Sequence, residues 1–216
     1  MESNISKEQL MNIADHYGFK EWRELIFMHE SAIEEVNTKL KILNNEFKII
    51  HDHNPIEHIK TRVKKPDSII EKLERKGYEV NLENAKTKIN DIAGIRIICS
   101  FTDDIYKILE MIKSQDDIEV LKVKDYIKNP KENGYRSLHL LIQLPIFLSS
   151  QARMTKVEIQ IRTIAMDFWA SLEHKIYYKY KNDAPDEIPQ KLKESADMIK
   201  KLDQQMLDIK KELDQY

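Results

Sequence analysis

At 216 residues, with 33% charged residues, 4 Gly and 6 Pro, the chain suits one helix-rich domain plus appendages and excludes a low-complexity or generally disordered polymer. Its 35 basic residues against 37 acidic ones leave a net charge of -2, which excludes a global field able to hold nucleic acid or an anionic membrane, so any phosphate binding must be local. The single cysteine, Cys99, rules out a disulfide framework within the chain and reads as a buried, inert thiol in the apolar run Ile95 to Cys99.

The N-terminus lacks a basic-then-apolar signal pattern, and no apolar run nears the roughly 18 residues of a membrane span, so a cytoplasmic protein is expected. Residues 1–20 form a polar extension with one short predicted helix over Lys7 to Tyr17. From Trp22 to Ile50, the residues Ile26, Ile33, Val36, Leu40, Leu43, Phe47 and Ile50 recur at spacings of three and four. That rhythm predicts a long helix with one narrow apolar seam that needs a partner helix.

The segment His51 to His58 holds three histidines, but their spacing matches neither HExxH nor a zinc-finger pattern. Asn54-Pro55-Ile56-Glu57 reads instead as a helix start, with Asn as cap, Pro at the first helical position and Glu three residues after the cap. Cations then concentrate in Lys60, Arg62, Lys64 and Lys65 and again in Lys72, Arg75 and Lys76. The second group shares one helix face opposite Ile69, Ile70 and Leu73 and is either a solvated face or a polyphosphate contact.

Ile89 to Cys99 reads as a loop entering a buried strand whose only charges are Asp91 and Arg96. A charge there needs a partner, and the options are a mutual salt bridge or a Mg²⁺ ligand beside a nucleotide contact. Asp103 caps a predicted helix running through Leu109 and Ile112. Val120 to Ile127 and Tyr135 to Leu144 are predicted strands joined by a hairpin turn at Asn133-Gly134, and Tyr135, Ser137 and His139 share one face of the second.

Val157 to Arg162 alternates strictly: Val157, Ile159 and Ile161 on one side, Glu158, Gln160 and Arg162 on the other. This is either a surface strand or a strand whose polar face serves a ligand at its C-terminal end. Ala165, Phe168, Trp169, Leu172 and Ile176 predict a buried helix directly after it. Ile188 to Leu213 closes the chain with a second a/d seam, so the two terminal helices pair either between chains, the favoured reading, or as one helical hairpin on the core. The fold class is α+β: a mixed sheet of about five strands with helices packed on it.

Three segments place polar groups at strand ends: Asp91 with Arg96, Tyr135 with Arg136 and His139, and Glu158 with Gln160 and Arg162. Two carboxylates, a basic segment and an aromatic are the parts of Mg²⁺-dependent phosphoryl transfer. The motifs Asp91-Ile92-Ala93-Gly94-Ile95-Arg96, Asn133 to His139 and Val157 to Thr163, in this order, resemble those of the RelA/SpoT-type (p)ppGpp synthetase domain. The match extends from Glu21 to Tyr216, leaves no space for hydrolase or regulatory domains, and resembles a stand-alone small alarmone synthetase.

That resemblance implies a nucleotidyltransferase-like fold with long terminal helices, no hydrolase activity, and transfer of pyrophosphate from ATP to GDP or GTP in the stringent response. It implies Mg²⁺ on Asp91 and Glu158, with Glu158 also orienting or deprotonating the attacking hydroxyl. Arg62 and Arg96 would clasp adenine, and Lys64, Lys72 and Arg75 would neutralise the ATP phosphates. Tyr135 would stack guanine, with Arg136, His139, Gln160, Arg162 and Asp167 around the acceptor.

It also implies a homotetramer and sets domain limits of 1–20 for the extension, 21–187 for the synthetase domain and 188–216 for an oligomerisation helix. His58, Lys60 and Asp167 stand where the alarmone-stimulated branch carries other residues, so that stimulation is not expected here. Two other functions remain open: a catalytically silent nucleotide- or RNA-binding regulator on the same fold, and a helical interaction protein.

Overall fold

A computed structural model describes residues 19–51, 53–179 and 187–215; the helix expected over Lys7 to Tyr17 lies outside them. The elements are α1 (Phe19–His51), β1 (Ile56–Val63), α2 (Pro66–Arg75), α3 (Leu82–Lys88), β2 (Ala93–Cys99) and α4 (Thr102–Lys113). They are followed by β3 (Glu119–Asp125), β4 (Leu138–Phe147), β5 (Ala152–Thr163), α5 (Ile164–Lys179) and α6 (Ile188–Leu213).

The five strands form one mixed sheet in the order β1-β2-β5-β4-β3, as the α+β reading requires. Only β2 and β5 run parallel, in a register that sets Gly94 beside Glu158 and Arg96 beside Gln160. Alternation in these strands sends Ile95, Ile97, Val157, Ile159 and Ile161 into the core with Leu138, Leu140 and Ile142 of β4. Each such side chain contributes about 1.5–3 kcal/mol through burial. The alternate residues are thereby committed to the opposite face, and a register slip of one residue would bury Glu158, Gln160 and Arg162 instead.

The sequence expectation of a helix at Asn54-Pro55-Ile56-Glu57 is overturned. Pro55 leads into β1, an edge strand paired antiparallel with β2 from Ile56 opposite Cys99 to Val63 opposite Ala93. Local capping chemistry lost to the backbone pairing that β2 offers, and a proline is tolerated where an edge strand begins. The helix after β2 is also entered differently: Phe101 occupies the cap position, and Asp103 lies inside the first turn, paired with Lys107 at 3.1 Å.

The seam of α1 does not wait for a partner helix. Met28, Ala32, Ile33, Val36 and Leu40 pack on the sheet, while Trp22, Leu25 and Ile26 join Ile69, Leu73, Ala85, Ile89 and Ile92 in a second cluster under α2 and α3. The terminal helices therefore do not form the helical hairpin considered from their rhythms. Instead α6 docks through Leu192, Ala196 and Ile199 on Trp169 and Ala170 of α5. Beyond that contact, Leu202, Met206, Ile209 and Leu213 stay exposed.

In α5 the buried face is Met166, Trp169 and Ala170. Phe168, Leu172 and Ile176, expected on the buried face, instead point outward with Ile164, and Phe168 is 61% exposed.

Candidate active site

The parallel pairing of β2 and β5 leaves a cleft of about 230 Å³ on the polar face of the sheet, lined by Lys60, Arg62, Asp91, Arg96, Glu158 and Gln160 among others. The cleft sits over the start of β2, where Gly94 pairs with Glu158, and not at the C-terminal end of the strand where the sequence pointed. The Arg62 side chain lies across Gly94: a Cβ there would meet Arg62 Cγ at 3.6 Å.

Asp91 ends the loop before β2, and its Oδ2 takes Lys72 at 2.7 Å and Lys64 at 3.1 Å. The mutual Asp91–Arg96 salt bridge considered from sequence is therefore not formed. Burial by itself would raise the Asp91 pKa, but the hydrogen bonds and charges of Lys72 and Lys64 outweigh it and hold the carboxyl below the usual carboxylate range. Its other oxygen, Oδ1, is buried without a hydrogen-bond partner. An orphaned buried carboxylate oxygen in a cleft shared with Glu158 fits a divalent cation, and Mg²⁺ is commonly held by one or two carboxylates plus substrate phosphates. Among the described residues no cluster of three or more His, Cys, Asp or Glu offers a cation cage made by protein alone.

Glu158 is steadied by Gln160, whose Nε2 donates to Glu158 Oε2 at 3.2 Å. From there a chain of polar contacts runs along the face. Arg162 donates to Gln160 Oε1 at 3.1 Å and to the Tyr135 hydroxyl at 2.6 Å, and that hydroxyl lies 2.8 Å from His139 Nε2. The Arg162 guanidinium stands 5.1 Å from the Tyr135 ring centroid. Tyr135, Ser137 and His139 thus share one side, as the sequence suggested, with Ser137 Oγ within 3.4 Å of Arg162 Nε.

Asp167, in the first turn of α5, ties the two halves of the face together. Its Oδ1 takes Arg162 at 3.1 Å and Arg96 at 3.2 Å, and Lys60 approaches Oδ2 at 3.9 Å. Burial and the nearby Arg162 charge both work against the Arg96 cation, and Asp167 is the counter-charge that offsets them. Asp167 thus serves as counter-ion to cations from both halves of the face.

Two expected site residues lie elsewhere. Arg136 is buried and points to α6, donating from Nη1 to the Ala196 carbonyl at 2.8 Å and from Nη2 to Asp197 at 3.2 Å. Arg75 ends α2 exposed to solvent and does not line the cleft. The Asn133-Gly134 hairpin is also revised: β3 and β4 are joined by residues 126–137, because Tyr135 and Arg136 turn toward α5 and α6, while Ser137 bonds β5 at the Ile161 carbonyl and at Arg162. Sequence reasoning missed Lys131, whose ammonium lies 4.7 Å from the Tyr135 ring centroid; its place in the turn before Asn133-Gly134 was the available signal.

His139 gives the site a pH dependence. Burial, then the charges of Arg162, Lys131 and Lys124, push its pKa down to about 4 from 6.5. Between those values the unfolded chain binds a proton that the folded one refuses, so stability falls as pH drops through this window. The expected loss from this group is up to about 1.4 kcal/mol per pH unit, with none above pH 6.5. Urea denaturation from pH 4 to 7 checks this, and His139→Gln should flatten the slope.

Comparison with known proteins fits this geometry. The region found in RelA / SpoT proteins matches residues 61–183. The chain belongs to the RelA/SpoT family. It is 52% identical to the GTP pyrophosphokinase YwaC of Bacillus subtilis (strain 168), across 90% of this chain and 93% of that protein. With the GTP pyrophosphokinase YjbM of the same organism it shares 39% identity, across 90% of each.

Among solved structures, small alarmone synthetase 2 of Bacillus subtilis superposes with a TM-score of 0.81 at 50% identity, covering 89% of this chain and 99% of that one. Small alarmone synthetase 1 of the same organism, bound to its product pppGpp, gives 0.80 at 39% identity, covering 89% and 98%. The RelA/SpoT match spans the cleft from Arg62 to Asp167, so the three motifs and the family profile fall on the same residues.

Proposed function

We propose that the chain is a GTP pyrophosphokinase that transfers the β,γ-pyrophosphate of ATP to the 3′-hydroxyl of GDP or GTP, yielding ppGpp or pppGpp and AMP in the stringent response. The observation that carries this reading is the juxtaposition of Asp91, with one buried oxygen unpaired, and Glu158 in a single cleft walled by Lys60, Arg62 and Arg96. Like-named relatives at 52% and 39% identity support it.

Glu158 orients the 3′-hydroxyl and accepts its proton while the hydroxyl oxygen attacks the β-phosphorus. The bond from the α,β-bridging oxygen to that phosphorus then breaks, and AMP leaves with the bridging oxygen. Asp91 and Glu158 would hold Mg²⁺, which would supply charge neutralisation on the phosphate oxygens. Lys64 and Lys72, already gathered at Asp91, add cations beside the transferred group. Arg62 and Arg96 present planar guanidinium groups to the adenine, and Tyr135 offers a ring to the guanine, with Gln160 and Arg162 beside it.

Purified protein with Mg²⁺, ATP and GDP should give equal amounts of AMP and ppGpp. Binding of both nucleotides without AMP release would instead identify a silent regulator. No helix among the described residues is long and apolar enough to cross a membrane, and we place the protein in the cytoplasm, where its substrates are.

Its working form, in this proposal, is a homotetramer. Two uncovered apolar stripes support that assembly: Leu202, Met206, Ile209 and Leu213 on α6, and Ile164, Phe168, Leu172 and Ile176 on α5. Light scattering should return four times the 25.7 kDa chain mass, and a monomer at working concentration would rule it out.

A further inference from the structure

The loop that carries Tyr135 has no strand partner of its own between Ile127 and Ser137, yet its path is tightly fixed by the C-terminal helix. Gly134 sits at φ +86°, and a Cβ placed on it would lie only 2.5 Å from the Cβ of Ala196. Loop backbone and helix therefore touch with no space for a methyl group between them. On the other side of Tyr135, buried Arg136 uses both terminal nitrogens on α6, at the Ala196 carbonyl and at Asp197.

Tyr135 itself packs against the cluster formed by Trp169, Ala170 and Ala196. The same helix reaches the end of β5, where Thr163 Oγ1 donates to Asp203 at 2.8 Å, one residue after Arg162. Thr163 Oγ1 also caps α5 by accepting from Met166 N at 3.1 Å. By contrast Arg62, Lys64, Lys72 and Asp91 hang on β1, the turn after it, α2 and the loop into β2, in the opposite half of the sheet.

We propose that Gly134, Arg136 and Ala196 are positioning residues through which α6 sets the pose of Tyr135, and so the affinity for the guanine nucleotide, without contacting either nucleotide. The inference rests on reading Tyr135 as the guanine-stacking ring. Its physical basis is that a pose held by a zero-clearance contact and a two-pronged guanidinium cannot drift, so the stacking surface is prepared before the acceptor arrives. Because the contacts with α6 fall on the Tyr135 side, the larger effect falls on the guanine nucleotide, and Arg96 feels it only through Asp167 and Arg162.

The test compares Ala196→Leu, which forces the loop off the helix, with Arg136→Lys, which keeps the charge but loses the fork. In both, the KM for GDP should rise about tenfold or more, while the dissociation constant for ATP alone and the kcat at saturating GDP stay within about twofold. Asp197→Ala removes an exposed partner and should shift the KM for GDP in the same direction by a smaller factor, which covers the case in which a buried variant does not fold. Equal losses for ATP and GDP, or an unchanged KM for GDP in a folded variant, would overturn the proposal. Tyr135→Ala separates the two claims: if it leaves the KM for GDP unchanged the stacking reading fails, whereas if it raises that KM and Ala196→Leu does not, only the role of α6 fails.

Discussion

Glu158→Gln should leave a folded protein whose release of AMP from ATP and GDP falls by at least about 100- to 10,000-fold, the usual worth of a positioned general base. The substitution is nearly isosteric. Backbone pairing of Glu158 with Gly94 and Leu141 is unaffected, and a glutamine oxygen can still accept from Gln160 Nε2. What disappears is the capacity to take the 3′-hydroxyl proton and the negative charge that would help hold Mg²⁺. Because both losses fall on the chemical step, kcat should carry most of the effect, and the melting temperature should move by no more than a degree or two. Turnover near that of the parent protein would sink the assignment.

Asp91→Asn is expected to cost about as much activity, by a different physical route. Its carboxylate is the shared counter-ion of Lys64 and Lys72, all three side chains being mostly buried, and its Oδ1 is free of protein partners. An amide cannot neutralise two ammonium groups. Removing the charge therefore leaves cations that are poorly solvated, at a stability cost of about 1–3 kcal/mol after allowing for partial exposure. It also removes half of the proposed Mg²⁺ contact.

The same carboxylate gives a pH signature: with its pKa held below the usual value, its contribution to stability is complete above the ordinary carboxylate pKa near 4 and is lost as pH falls through the lower folded value. Titrating Mg²⁺ against activity in the variant checks the route. Full recovery at high Mg²⁺ would mean that Asp91 affects only cation affinity, and activity within threefold of the parent at ordinary Mg²⁺ would remove it from the site.

Periodicity made much of the sheet legible. The alternation in β5 named Val157, Ile159 and Ile161 as core and Glu158, Gln160 and Arg162 as the opposite face, and all six fall on those faces. The β-branched run around Ile95 to Cys99 marked a buried strand for the same reason. Capping signals were weaker guides. Asn54 to Glu57 carries the residues of a helix start, yet the hydrogen bonds of β2 recruited the segment as an edge strand. Local chemistry loses wherever a long-range ladder offers more bonds to the same backbone.

The amphipathic helices show the other limit. A seam of apolar residues states that something covers a helix but not what: α1 lies on the sheet, and Phe168 of α5 faces outward while Trp169 faces in. The family resemblance placed both Arg136 and Asp167 beside the acceptor nucleotide. The chain's path sends Arg136 into α6 and makes Asp167 the counter-ion of Arg96 and Arg162.

Taken by itself, the sequence determined the α+β class and the polar face of the central strand, because those follow from hydrophobic pattern and a two-residue repeat. Only the tertiary structure decided the partners: which cations neutralise Asp91, which carboxylate joins the two arginines, and which helix holds the Tyr135 loop. Those pairings join residues far apart in the chain, such as Arg136 with Ala196 and Arg96 with Asp167, and chain separation carries no local signal of which groups will meet.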